Sequence, residues 1–214
     1  MTADTAAGRA RRPYRSARRQ KQAEETAALV VAAATTLFAE QGWAGTGMRD
    51  IARQAGVSVE TVYANFRSKG ELLLRAIDVS VVGDTAPVTL SERPEFAALG
   101  TGSRGDRIAA AARLLAGINQ RTYGLRRALS EAGASDAQLA AKIHELENRR
   151  RDNIREGIAL VTDRPDDADV LDALWVVMGA DAFVLLTQVG RRSLEEYERW
   201  LAETIDRLLG DGVT

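Results

Sequence analysis

The chain has 214 residues, 45% of them hydrophobic, which is enough to bury a core of ordinary globular size. It has no cysteine, which excludes disulfides, thiolate metal sites and cysteine nucleophiles and suits a reducing, cytoplasmic setting. The net charge of -1 conceals an asymmetry: residues 1–82 hold 12 Lys and Arg against 8 Asp and Glu, and residues 83–214 hold 17 against 22, so only the front is suited to a polyanion.

Residues 1–22 read as a basic, disordered arm. Arg9, Arg11, Arg12, Arg15, Arg18, Arg19 and Lys21 stand against a single acid, Asp4, with no apolar periodicity. Such an arm is either a solvated tail or a phosphate clamp reaching along the duplex. It lacks the apolar segment of a signal peptide. No uninterrupted apolar run approaches the roughly 20 residues of a membrane span, since Asp181 and Gln188 interrupt the stretch from Leu174 to Val189. No membrane partner is expected.

From Glu24, the residues Leu29, Val30, Ala33, Leu37 and Phe38 recur at helical spacing until Gly42 supplies a stop. A second helix is predicted over Met48 to Ala55 and a third over Val59 to Asn65, with Gly56 between them. Ser68-Lys-Gly-Glu71 is a capping box, so a fourth helix should run from Lys69 to about Val82. Residues 23–82 are therefore read as one helical domain, the candidate for DNA binding argued below. Residues 83–104, with Pro87, Pro94 and three glycines, are read as a junction loop. In residues 105–214, a ligand-binding and dimerisation domain, helices are predicted at about 105–118, 120–132, 136–161, 166–189 and 194–209. Ser135-Asp136-Ala-Gln138, Asp163-Arg-Pro165 and Ser193-Leu-Glu-Glu196 mark helix starts. Nothing alternates as a strand would, so the predicted fold class is all-α.

The segment Arg49 to Tyr63 carries the functional signal. A helix-turn-helix needs a small residue where its helices cross, a glycine able to turn left-handed and an apolar residue locking the second helix. Ala52, Gly56 and Val62 meet these needs. Ser58 is placed to cap the second helix, and Glu60 suits the positive end of its dipole.

Phe38-Ala-Glu-Gln-Gly42-Trp, Thr46-Gly-Met-Arg-Asp-Ile-Ala, Ala-Gly-Val-Ser58 and Val62-Tyr63-Ala-Asn-Phe66-Arg-Ser-Lys69-Gly-Glu-Leu-Leu together resemble the signature of the tetracycline-repressor (TetR) family, over about residues 26–78. The resemblance implies a homodimeric repressor that reads a pseudo-palindromic operator in double-stranded DNA and releases it when a small-molecule inducer enters the body. Tyr63 and Lys69 resemble the family's phosphate contacts. Val59, Glu60, Thr61, Ala64 and Asn65 lie where it places groove-facing residues, and Arg49 where it often has a base or backbone contact. Ser58 stands with them at the start of the reading helix. Gly47 departs from the usual Thr or Ser cap, and Ala64 and Asn65 replace the aromatic and histidine often found there, which leaves the operator sequence open. Tyr63 is otherwise a core-edge aromatic and Lys69 a solvated lysine. A phosphate held by the lysine and the free N–H groups would relieve a cation at a helix N-terminus.

In the body, Leu171, Leu174 and Leu185 on one helix and Leu194, Tyr197, Leu201 and Ile205 on the next are expected to form a four-helix dimer interface, or else to pack within one subunit. Ile118, Asn119, Tyr123, Ile143, His144, Leu146, Trp175, Met178 and Asp181 are candidate pocket residues. Asp181 is open to three readings: a ligand contact, an arginine partner across the dimer, or a solvent-facing residue. Arg149-Arg150-Arg151 and Arg155 read as a solvated face pairing with Glu145, Glu147 and Asp152. Helix four is expected to be the lever between body and head. No metal, cofactor or catalytic site is expected: His144 is the sole histidine, and no phosphate loop or nucleophile motif is present. The alternatives are a DNA-binding regulator without small-molecule control, for which the body would be packed and cavity-free, and an activator.

Overall fold

A computed structural model describes residues 12–84, 89–162 and 167–210, with residues 12–17 as backbone alone. Among the described residues every regular element is helical, as the all-α expectation holds. The head consists of α1 (Arg12–Gly45), α2 (Met48–Ala55), α3 (Val59–Asn65) and α4 (Lys69–Val82). Single turns at Leu90–Glu92 and Ala98–Gly100 flank α5 (Pro94–Ala97) and lead into α6 (Arg104–Gly133) and α7 (Ala137–Val161). The chain closes with α8 (Ala168–Val177), α9 (Ala180–Phe183), a π-helical turn over Val184–Val189 and α10 (Leu194–Leu209).

The predicted arm is corrected over part of its length, because α1 is already helical at Arg12. Along its early course Lys21 meets Glu25 at 3.9 Å and Gln20 donates to Glu24 at 3.2 Å. Residues 1–11 lie outside the described residues. Farther on, the stretch Arg18–Gly45 has a mean hydropathy of 1.2 over its most apolar window, yet Val30, Ala34 and Phe38 within it are wholly buried in the head core.

Three other expectations change. The junction is not plain loop: its helical turns bury Phe96 and Leu99 in the body core. The helices predicted at 105–118 and 120–132 are one, α6. The helix predicted at 166–189 breaks at Gly179, which takes an extended conformation (φ -75, ψ 162) before α9. Its predicted start at residues 163–165 falls outside the described residues; Asp167 caps α8, accepting from Asp169 N and Val170 N. Likewise Asp136, not Ser135, caps α7. Ser193 caps α10 through a complete capping box, and at α4 the Ser68 hydroxyl accepts from Glu71 N at 3.0 Å while Glu71 reaches back to Arg67 N at 2.9 Å.

Two apolar cores result, and α6 belongs to both. Ile108, Ala111, Ala112 and Ala116 sit in the body core, whereas Leu125, Ala128, Leu129 and Ala132 sit in the head core with α1 to α4. At 30 residues the helix is about 45 Å long, enough to run from one core into the other. Its side chains shrink where it meets α1. A Cβ on Gly124 would lie 2.9 Å from Ala39 Cα and 3.0 Å from Ala39 O. Arg121 closes the α4 side, donating from Nε to Ser80 O at 2.8 Å and from Nη2 to Val81 O at 3.2 Å, where helix-end carbonyls lack intrahelical donors.

In an unconstrained helix interior Gly124→Ala would stabilise by roughly 1 kcal/mol. Here the methyl meets backbone, which cannot rotate away, so the substitution is expected to destabilise by about 1–3 kcal/mol, read as a lowered Tm in thermal unfolding.

Candidate nucleic-acid interface and ligand cavity

The head builds its helix-turn-helix from the residues that the spacing singled out. Ile51 and Ala52 on α2 and Val62 on α3 are buried against α1 and α4. Gly56 ends α2 in the left-handed region (φ 68, ψ 29), and Val57 N donates to Ala52 O at 3.0 Å. A Cβ there would touch nothing, so the demand for glycine is conformational rather than steric. Ser58 caps α3, accepting from Thr61 N at 3.1 Å.

With Val62 anchored inward, α3 turns its other face to solvent. Arg49, Ser58, Glu60, Tyr63 and Ala64 are exposed, while Val59, Thr61 and Asn65 are half-buried. Tyr63, at 53% exposure, is not a core-edge aromatic. Hydrogen bonds from its own backbone N–H and from the Ser58 hydroxyl favour the ionised form of Glu60, holding its carboxyl below the usual range. Asn65 Nδ2 donates to Thr61 O at 2.8 Å. Gly47 caps α2 with no side-chain hydrogen bond.

Lys69 is turned inward. Its Nζ donates to Trp43 O at 2.6 Å and lies 4.0 Å from the centre of the Trp43 ring, and burial lowers its pKa. Trp43 in turn depends on Gly42, whose positive φ of 70 ends the α1 ladder and frees Trp43 N to donate to the Glu131 carboxylate of α6 at 2.8 Å. Glu131 was not singled out from the sequence. Only the fold brings it, 88 residues away in the chain, to the end of α1.

The body encloses a cavity of about 530 Å³ between α4, the turns at 89–99, α6, α7, α8 and α10. Of the candidate pocket residues, Ile118, Asn119, Leu146 and Met178 line it. The other five do not. Tyr123 meets Phe183 with tilted rings 5.4 Å apart, Ile143 packs against the head core, and His144 and Asp181 are exposed on the surface. Trp175 stands behind the wall, where its Nε1 donates to Glu147 at 3.1 Å. These corrections share a cause: a helix periodicity gives the spacing of a face but not which neighbour that face meets.

Asn119 is buried, and its Nδ2 donates to Met178 O at 3.1 Å and Tyr197 OH at 3.0 Å. A backbone carbonyl only accepts, which fixes the amide with its own oxygen as the remaining acceptor. Four arginines that the sequence did not mark as cavity residues also line the wall: Arg75, Arg126, Arg149 and Arg150. Glu147 bridges Arg126 and Arg150, both at 2.8 Å. Burial pushes the Glu147 carboxyl up, but Arg150 and Arg126 outweigh it and the group is held below the usual range. Part of the arginine run expected on a solvated face therefore faces the cavity, although Arg155 does pair with Asp152 at 2.9 Å.

The expected dimer stripe is corrected as well. Leu171, Leu174, Tyr197, Leu201 and Ile205 are almost wholly buried within the body core of one chain, so they have no surface to offer a partner. Leu194 is half-buried against the same core. Leu185 is exposed at 64%, and Val176 and Val189 are also exposed apolar residues.

Residues 30–76 match the family model described as bacterial regulatory proteins, tetR family. The head of this chain is therefore similar to the head of that family. Over 76 residues it is 37% identical to the HTH-type transcriptional repressor Rv3405c of Mycobacterium tuberculosis and to the HTH-type transcriptional regulator Mb3439c of Mycobacterium bovis, a match covering 33% of this chain and 40% of either relative. The chain thus spans about two fifths of the length of the curated relatives it matches. Beyond the head the likeness is one of fold. A TetR-family transcriptional regulator from Mesorhizobium loti superposes with a TM-score of 0.66 at 23% identity, covering 87% of this chain and 96% of its own. A transcriptional regulator from Rhodococcus sp. RHA1 gives 0.62 at 21% (85% and 94%), and a structure of the multidrug binding protein EbrR complexed with imidazole gives 0.54 at 19% (87% and 90%).

With Lys69 holding α4 to the turn after α1, Lys69→Met is expected to lower stability by about 1–2 kcal/mol, seen as a lower Tm. The salt dependence of DNA binding should not change. An unchanged Tm with a salt slope reduced by about one would instead make the lysine a phosphate contact.

Proposed function

We propose that this chain is a cytoplasmic transcriptional repressor that binds a pseudo-palindromic operator in double-stranded DNA as a homodimer and releases it when a small-molecule inducer occupies the cavity. The observation that carries the reading is the course of α6. Ala111, Leu114, Leu115, Ile118, Asn119 and Arg126 line the cavity, and the same helix enters the head core and accepts from Trp43 through Glu131. A ligand that prefers one placement of α6 therefore biases the placement of the head.

That bias is limited to the ligand's own preference between the two states. A coupling of roughly 1–3 kcal/mol corresponds to about 5–150-fold weaker operator binding. The sequence pointed to α4 as the lever; α6 is a second one, and both border the cavity. A cavity of this size supports ligand control over a regulator whose body only dimerises. The sign of regulation depends on where the operator lies relative to the promoter, and repression is the reading that the Mycobacterium tuberculosis relative's name favours.

On the head, Arg49, Ser58 and Tyr63 are assigned to the DNA backbone, and Val59, Glu60, Thr61, Ala64 and Asn65 to the major groove. The exposed Val176, Leu185 and Val189 are assigned to a second copy of the chain, since a reader of two half-sites needs a symmetric partner.

Selection of duplex DNA from a random pool by the full chain is expected to enrich inverted half-sites with centres about 10 bp apart, or a multiple of that. Thr61→Ala and Asn65→Ala should alter the enriched sequence. Leu185→Glu should yield monomers by sedimentation and weaken binding to the paired site while leaving the chain folded. Enrichment of no sequence would overturn the operator reading.

A further inference from the structure

The cavity wall is not uniform along its length. Ala111 and Arg126, which both line it, are 15 residues apart on α6, or about 22 Å at the helical rise. Since α7 runs antiparallel to α6, its Arg149 and Arg150 lie towards Arg126 and its Val161 towards Ala111. One pole is therefore built from arginines. The other is built from Phe96, Leu99, Val161 and Leu209, all buried and apolar.

At the arginine pole the positive charges outnumber the acids that face them. Arg75, Arg126, Arg149 and Arg150 come from three helices, against Asp78 on the wall, Glu147 behind it and the exposed Asp181, whose charge also reaches Arg126. Glu147 is shared between Arg126 and Arg150, and Asp78 reaches Arg149 only at 4.0 Å. Arg75 forms no ion pair among the described residues. Arg126 donates to Glu147 through Nη1, while its Nε meets no acceptor among the described residues. Buried donors without acceptors and an excess of positive charge beside low-dielectric walls favour an anion. The planar guanidinium fork matches the oxygens of a carboxylate or phosphate.

We propose that the cavity takes an amphipathic anion, with its carboxylate or phosphate headgroup held by Arg126 and its arginine neighbours and its aliphatic body laid along α6 towards Phe96 and Leu99. The proposal rests on the ligand-controlled reading only in calling this molecule the inducer; the binding itself stands apart from it. Cation binding is disfavoured by the same arginines, and a neutral alcohol of equal length leaves them without a counter-charge.

Isothermal titration of the full chain with decanoate, decyl phosphate, decan-1-ol and decylamine tests this. Decanoate or decyl phosphate should bind about tenfold or more tightly than decan-1-ol, and decylamine should not bind. The tighter of the two anions identifies the headgroup. Arg126→Met should remove most of the preference for anion over alcohol. Should that variant fail to fold, Arg149→Met at the exposed mouth should reduce the same preference, and Gly157→Leu, which adds bulk to the wall near Leu99, should abolish binding of the anion and the alcohol alike. Equal affinity for anion and alcohol, or no binding of any probe, overturns the proposal. Operator affinity measured with and without the bound anion separates the two readings. Binding without release of DNA keeps the anion site and defeats the ligand-controlled repressor, and release by decan-1-ol but not by either anion does the reverse.

Discussion

The close approach of α6 to α1 is the constraint on which the rest of the molecule depends. Gly124 presents no side chain where a methyl would meet Ala39 backbone, and Ala128 and Ala132 keep the following turns small. Arg127 adds a hydrogen bond from Nη2 to Ala39 O at 3.2 Å. Small residues at a helix crossing let backbones approach, and packed interiors transmit displacement because they hold few voids to absorb it. As a result a helix that begins in the body ends as part of the head. Were α6 to end near residue 120, the cavity and the reading helix would be separate units joined through α4 alone.

A second connection depends on one residue's conformation. Gly42 leaves the helical region, and the N–H that follows it is satisfied by Glu131 rather than by α1. The same Trp43 then holds Lys69 through its carbonyl and its ring. Lys69 opens α4, whose Arg75 and Asp78 border the cavity. Both helices that leave the cavity therefore meet at the end of α1, next to the α2 and α3 pair. This arrangement would give the proposed ligand two mechanical handles on the head, each anchored by a polar contact to Trp43.

Charge is distributed on two scales. By composition the front of the chain is basic and the rest acidic. Within the acidic part, folding gathers arginines at one end of a cavity and sets most carboxylates elsewhere, for example Asp206 with Arg104 and Asp172 with Arg151 on the surface. A regional charge count averages over this sorting. An apolar wall with a few convergent charged groups selects a ligand by headgroup as well as by shape.

What depends on near neighbours in the chain was legible in the sequence alone. The four head helices, Gly56 as a left-handed turn, and Ser58, Ser68 and Ser193 as caps all follow from contacts within a few residues. The head core followed too, because Val30, Phe38, Ile51 and Val62 occupy one face of short helices with few possible partners. The body was another matter: Tyr197 and Leu201 have the periodicity of an interface yet fill a core, while Arg126 and Arg150 have the look of surface charge yet line a cavity. Glu131 is paired across 88 residues of chain. A helical repeat specifies which residues share a face, and only tertiary packing decides whether that face meets a core, a cavity, a partner or water.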